Sequence, residues 1–441
     1  MKKFSLLTLL SLLLPLAANA ATVEIDGIYY NLMSKLNTAE VISNPNKGYS
    51  DVVIIPETVT YDGSTYSVTS IGNEAFSSCT GLTTVFIPNS VTSIGNSAFA
   101  NCNKLTSISI GDGVTSISNN AFRNCRRLSS VTIPNSVTSI GIGAFDFCSG
   151  LISIIIPNSV TNIGRSAFAA CSRLHSITIG SGVSSIDSDA FAGCSGLKQV
   201  IVSDIAAWCG IFFNGQDANP LSKAQHLFSD EFTEITDLVI PDSVTGIGYW
   251  AFAKCIGLTS VTIGNDVTSI GGEAFYGCIG LTSVSIGSGI KEIYWSAFAN
   301  CPDLADVYCH AEQVPDILYG SLFDGSYIDY ATLHVPAAAL EQYRATTPWS
   351  EFGTIVPIGG DVDEDAIMEV KAQPVLIQAQ GGIINVHGAI GGTPIAVYDT
   401  NGRLCGNAIG EDDCTSLFAS LHRGSVAVVK IGKKSIKVLI K

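Results

Sequence analysis

Leu82-Thr83-Thr84-Val85-Phe86-Ile87-Pro88-Asn89-Ser90-Val91-Thr92-Ser93-Ile94-Gly95-Asn96-Ser97-Ala98-Phe99-Ala100-Asn101-Cys102-Asn103-Lys104 runs straight into Leu105, where the same pattern starts again. The dipeptide Ala-Phe marks the period. It stands at Ala75, Ala98, Ala121, Ala144, Ala167 and Ala190, always 23 residues apart, and returns with that step at Ala251, Ala274 and Ala297. Eight apolar positions of the unit keep their phase: Leu82, Val85, Ile87, Val91, Ile94, Ala98, Phe99 and Cys102. A fixed period of this size predicts a solenoid. Val85 and Ile87 alternate with Thr84 and Phe86 as in a strand with one buried face, and Pro88 or a glycine such as Gly111 ends it in a turn. Val91 to Ile94 predicts a second short extended piece, and Asn96 to Cys102 has room for no more than a turn or two of helix. One unit cannot bury its own apolar side, whereas stacked units cover one another. The expected fold is mainly β: a solenoid of 23-residue coils with short helical turns, followed by a small C-terminal antiparallel β-sandwich.

These units resemble the BspA-like leucine-rich repeats common in secreted Bacteroidetes proteins. The likeness rests on Ala98-Phe99-Ala100-Asn101-Cys102, then Leu105, Ile108, Ile110, Val114 and Ile117, and on the leading segment Ile25-Asp26-Gly27-Ile28-Tyr29-Tyr30 with Val53-Ile54-Ile55-Pro56. It covers about residues 22–358 and implies an extracellular binding or adhesion protein without catalysis. The expected layout is a signal peptide over 1–20, an N-terminal cap over 21–68 and a leucine-rich-repeat solenoid over 69–358. Within the solenoid lie an irregular coil at 198–240 and a C-terminal cap at 302–358. An acidic linker at 359–369 and the sandwich at 370–441 follow.

Lys2 and Lys3 precede an apolar run from Phe4 to Leu16, and Ala18-Asn19-Ala20 gives a small-x-small cleavage pattern. That pattern is a secretory signal, which places the mature chain outside the cell or on its outer surface with no transmembrane segment. The whole chain has 38 acidic and 23 basic residues, a formal charge of −15. This excess argues against a nucleic-acid partner, which needs a basic face.

Nine of the 13 cysteines share one repeat phase, from Cys79 to Cys301. One per coil at a core position reads as a ladder of small buried thiols rather than disulfides, since parallel side chains disfavour pairing. Cys405 and Cys414 in the tail could close a small loop. Asp361, Asp363 and Asp365 space like the start of a calcium loop, but Ala366 and Ala372 stand where its glycine and glutamate belong, so a solvated linker is the better reading. The tail itself, with Ile395-Ala396-Val397-Tyr398-Asp399, Asn401-Gly402-Arg403-Leu404 and Val428-Val429-Lys430, resembles the C-terminal sorting domain of type nine secretion cargo.

Chemistry is sparse. The six histidines show no metal spacing, no phosphate loop is present, and regular coils gather no acid, base and nucleophile, so no catalytic, cofactor or metal residue is assigned. Three surface features remain. Tyr249, Trp250, Tyr276, Tyr294 and Trp295 occupy sites where earlier coils carry Asn96, Ser97, Asn119, Asn120, Arg165 or Ser166, so these sites tolerate water. Tyr249 and Trp295 should lie about 10 Å apart, two strand spacings, over Gly272, leaving a slot for a flat group. The insertion after Ala190 carries Trp208, Phe212 and Phe213, either as binding residues on an outward loop or as packing for an irregular coil. Ser107/Ser109, Ser130/Thr132, Ser176/Thr178 and Ser260/Thr262 form a column of outward hydroxyls. The expected function is recognition of an extracellular protein, glycan or cell, with a structural spacer of the cell envelope as the alternative.

Overall fold

A computed structural model describes residues 20–46 and 48–358, and beyond them the segments 376–380, 383–387, 394–399, 403–409, 414–418, 426–431 and 434–439. The leader up to Asn19 and the acidic linker lie outside the described residues, as do Asp361, Asp363 and Asp365. The chain divides into two compact units, residues 1–359 and 360–441.

In the first unit each coil adds one rung to two parallel ladders. The shorter ladder joins Ser93–Ile94, Ser116–Ile117, Ser139–Ile140, Asn162–Ile163 and Ser185–Ile186, with each isoleucine opposite the one 23 residues on. The longer one pairs Ser50–Ile54 with Gly81–Phe86 and then with Ser107–Ser109; it lapses at the next coil and resumes through Ser153–Ile156, Ser176–Ile179 and Gln199–Val202. Val131 and Ile133 of the coil without a strand are nonetheless buried, and Val85, Ile108, Val131 and Ile154 line one shared interior. After the insertion both ladders start afresh, one from Asp237–Ile240 through Thr354–Pro357 and one from Gly246–Ile247 through Asp316–Leu318. At the leading end, Ala20–Ile25, Ile28–Met33 and Thr38–Val41 pair antiparallel and join the ladder through Ser64–Ile71, covering an edge that would otherwise stand open.

Three columns of side chains fix the stacking. The first is aromatic: Phe76, Phe99, Phe122, Phe145, Phe168 and Phe191 stack with ring centroids 4.9 to 5.6 Å apart and planes within 13°. That is close to the strand spacing, so each ring sits on the one before. Tyr49 closes this column at one end, 4.5 Å from Phe76, and Phe323, Trp349 and Phe352 close its continuation through Phe252, Phe275 and Phe298.

The second column is the cysteines. They are free thiols, as their spacing suggested, but not merely small apolar groups. The Sγ of Cys102 donates to the Phe76 carbonyl, and Cys125, Cys148, Cys171, Cys194, Cys278 and Cys301 repeat the bond to the phenylalanine 26 residues earlier, at 3.0 to 3.3 Å. The third column is threonine: the hydroxyls of Thr92, Thr115, Thr138 and Thr161 each donate to the carbonyl of the residue 23 positions earlier, at 3.1 to 3.3 Å.

The Ala-Phe segment is a pair of tight turns rather than a helix. Two residues per coil hold positive φ, as do Ser97 (54°) and Asn101 (61°), and such residues break the helical run. Asparagine tolerates that region; Phe147, Ala170 and Trp250 occupy it because the stack holds them there, at about 1–2 kcal/mol each. Gly182 follows from close approach: a Cβ there would collide with the Asn158 carbonyl of the coil before.

The second unit has two antiparallel sheets, Leu376–Gln380, Ile383–His387 and Cys414–Phe418 in one, and Leu404–Ile409, Pro394–Asp399, Val426–Ile431 and Lys434–Leu439 in the other. Ile384, Val386, Ile395, Val397, Leu417 and Val429 on these strands are buried. Cys405 is a free thiol.

Burial pushes the thiols of Cys194, Cys255 and Cys301 up to about 12 and holds those of Cys148, Cys171 and Cys278 well above the usual thiol range. A raised thiol pKa favours the folded state while both states are protonated and loses that advantage as the unfolded thiols ionise. Stability should therefore fall as pH rises from about 9 towards 12, by roughly 1.4 kcal/mol per pH unit per thiol. Alkaline unfolding followed by circular dichroism checks this. Cys148→Ala should cost about 1–2 kcal/mol, because it opens a small void and removes a weak donor from a carbonyl that keeps its bond from the Cys125 N–H.

Candidate binding surface

The aromatic residues singled out by phase come together, with one difference in geometry. Ile247, Ile270 and Ile293 are in register, and Ile293 pairs with Ile317, so Tyr249, Gly272, Trp295 and Tyr319 occupy one column. The expected slot is closed. Trp295 reaches back over Gly272 and meets Tyr249 with ring centroids 5.1 Å apart. The missing side chain of Gly272 makes this possible: a Cβ there would lie 2.7 Å from Cδ2 and Cε2 of Trp295. Tyr249 also meets Trp250 at 5.9 Å and Tyr294 at 5.4 Å, and Tyr294 extends the cluster to Tyr319 at 6.3 Å. Tyr249, Trp250, Tyr294 and Trp295 are half-buried, while Tyr319 is 82% exposed. Tyr276 is half-buried and enters no ring pair among the described residues. The Tyr294 hydroxyl donates to Glu292 Oε2 at 3.4 Å. Partial burial, then the neighbouring Tyr294, holds the Tyr249 hydroxyl above the usual tyrosine range, so it stays neutral.

Tyr319 escaped the periodic reading because this coil is one residue longer, and a step of 23 from Trp295 lands on Leu318. The aligned isoleucines of the strand, Ile293 and Ile317, were the signal that would have found it.

The insertion uses its aromatics as packing. Asp204 caps the short helix Ile205–Cys209 by accepting the Ala207 N–H, which turns Trp208 inward. Trp208 and Phe213 are buried against each other, and the Trp208 indole donates to the Ala251 carbonyl at 2.9 Å. Buried Asn219 donates to the Trp250 and Ala251 carbonyls and accepts the Leu221 N–H. Together they stand where a regular coil would place its Ala-Phe turn. Trp208 and Phe213 are thus unavailable to a ligand; Phe212 is exposed. The residue that projects is Phe232, 90% exposed on a loop whose turn is held by Asp230 Oδ1 accepting the N–H groups of Phe232 and Thr233.

On the outer side of the longer ladder the hydroxyl column is present but mixed with apolar residues. Thr178 stands between Ile155 and Ile201, and Thr262 follows Val239; Ile155 and Val239 are exposed. A shallow groove of 610 Å³ runs past Ser130, Thr132, Asn135, Ile155 and Thr178. Near the far end Tyr308 stacks on His334 at 4.1 Å, His334 Nε2 lies 3.1 Å from Asp306 Oδ1, and His310 Nε2 lies 3.3 Å from Ser285 Oγ. Among the described residues no three His, Cys, Asp or Glu side chains converge as metal ligands, and no helix is long and apolar enough to cross a membrane.

Charge divides at the insertion. Residues 69–229 hold seven acidic and eight basic side chains; residues 230–358 hold sixteen acidic and three basic, a net of −13. The aromatic cluster belongs to the acidic stretch. Gly272→Ala should displace the Trp295 ring while costing under about 1 kcal/mol, because the obstructing atoms end a movable side chain. Near-ultraviolet circular dichroism and acrylamide quenching should report a changed tryptophan environment at nearly constant melting temperature.

Comparison with known proteins agrees with this architecture. The family described as BspA type leucine-rich repeat region matches in six copies, over residues 67–203 and 224–342. A leucine-rich repeat protein from Bacteroides ovatus is 28% identical over 76% of this chain and 99% of that chain, with a TM-score of 0.37. One from T. pallidum is 31% identical over 41% of this chain and 81% of that chain, with a TM-score of 0.37. A leucine rich cell surface protein from Faecalibacterium prausnitzii is 26% identical over 77% of this chain and 96% of that chain, with a TM-score of 0.39. No curated protein sequence matches. With more than half of its residues in matched repeats, the chain belongs to the BspA-type leucine-rich repeat family.

Proposed function

We propose that the protein is a non-catalytic recognition module, exported by its N-terminal leader and displayed outside the cell, that binds an extracellular protein or glycan through the cluster of Tyr249, Trp250, Tyr294, Trp295 and Tyr319. The observation that carries this reading is the gathering of five half-buried to exposed rings at sites whose equivalents in the earlier coils carry no aromatic residue. The earlier coils stack without aromatic rings at these sites, and aromatic rings anchor interfaces with little loss of conformational freedom. The exposed Phe212 and Phe232 of the insertion supply a second contact point. The tail, with its antiparallel sheets and its Asn401-Gly402-Arg403 sequence, serves export or anchoring in this reading.

The test is an array of extracellular-matrix proteins and glycans probed with the full-length chain and with a Tyr249→Ala/Trp295→Ala variant. Saturable binding that weakens at least about tenfold in the variant, with its melting temperature preserved, is the expected result. Saturable binding that ignores the substitutions would move the site off this cluster, and no saturable binding at all would favour a structural spacer instead.

A further inference from the structure

We propose that the aromatic cluster takes a cationic polypeptide segment, one presenting arginine or lysine side chains to the rings. This rests on the reading of the cluster as the binding surface and adds the chemistry of its occupant. Ring faces attract cations, and two indoles with three phenols form a continuous electron-rich surface. Carboxylates border it. Glu292 reaches the Tyr294 hydroxyl, and Asp316 stands directly opposite Glu292 on the adjoining strand. Glu273 follows Gly272 in the chain, and its N–H donates to the Trp295 carbonyl. None of the three has an ion-pair partner among the described residues.

The contrast along the solenoid sharpens the point. In the first half, Asp146, Asp189 and Asp217 are matched by Arg123, Arg165 and Lys223. In the second half, Arg344 is taken by Glu341, leaving Lys254 and Lys291 for the remaining acids. Like charges in register on neighbouring strands repel, so Glu292 and Asp316 gain when a cation settles between them. A neutral sugar could lie on the rings but would leave that repulsion in place, and an anionic glycan would meet the −13 of the surrounding coils. Arginine fits better than lysine, because its planar group stacks on a ring while its edge bonds a carboxylate.

The experiment uses the full-length chain and five labelled probes: nona-arginine, nona-lysine, a Gly-Ser peptide of equal length, maltoheptaose and sialyllactose. Three variants accompany it: Tyr294→Ala/Trp295→Ala, Glu292→Gln/Asp316→Asn, and Asp303→Asn/Asp329→Asn as a charge-matched control outside the cluster. Nona-arginine should bind saturably, more tightly than nona-lysine, and more weakly as salt rises. Both cluster variants should lose about tenfold in affinity while the control changes less than about threefold. Equal losses in all three variants would reduce the effect to general acidity and overturn the proposal. So would nona-arginine binding that ignores the aromatic substitutions, or no peptide binding at all. Maltoheptaose or sialyllactose binding that disappears in Tyr294→Ala/Trp295→Ala would overturn the cationic occupant yet leave the cluster as a recognition surface.

Discussion

Each coil must repeat the height and phase of the coil before it, because every layer leans on its predecessor for both its buried side chains and its backbone hydrogen bonds. The phenylalanine column shows how tightly this binds the sequence. A ring that must lie flat on another about 5 Å away leaves no freedom in the residues that orient it, and so the alanine before it, the cysteine after it and the two positive-φ residues around it recur together. Cysteine is used because the position asks for something small, apolar and able to donate one weak hydrogen bond. Alanine lacks the donor, and serine would carry a more strongly hydrated group into a dry interior.

The insertion shows what happens when the constraint is relaxed for one layer. Phenylalanine stacking stops at Phe191 and restarts at Phe252, and both ladders break. The continuity lost there is restored by other chemistry: the Trp208 indole and the Asn219 amide satisfy the Ala251 carbonyl that a regular neighbour would have met, and the amide also reaches the Trp250 carbonyl. The indole and the amide can be buried at this junction because both find partners. The same interruption frees a loop to project Phe232, and it marks the change from a nearly neutral stretch to a strongly acidic one.

Much of this was legible in the sequence because translation symmetry turns a tertiary contact into a spacing. Two parallel strands per coil, the buried free thiols and the outward serines and threonines all follow from counting by 23. What counting could not give are the features that depend on a particular neighbour. The thiol bond to a carbonyl 26 residues away leaves no mark in composition. Trp208 and Phe213 look like loop aromatics until the Asp204 cap turns the helix inward. The open slot between Tyr249 and Trp295 followed from strand spacing alone, and it failed because a long side chain over a glycine can lean across one layer.

The closed ends carry a consequence for growth of the molecule itself. An uncovered layer at either terminus would expose core to another chain, and the antiparallel strands at one end and the Trp349 and Phe352 rings over the aromatic column at the other reduce that exposure. With the core covered at both ends, layers can be gained or lost within the array rather than at its termini. One more internal unit would carry the aromatic face about 4.8 Å farther from the leading end while every existing rung kept its neighbours. Reach can thus drift between relatives without any relearning of how to fold.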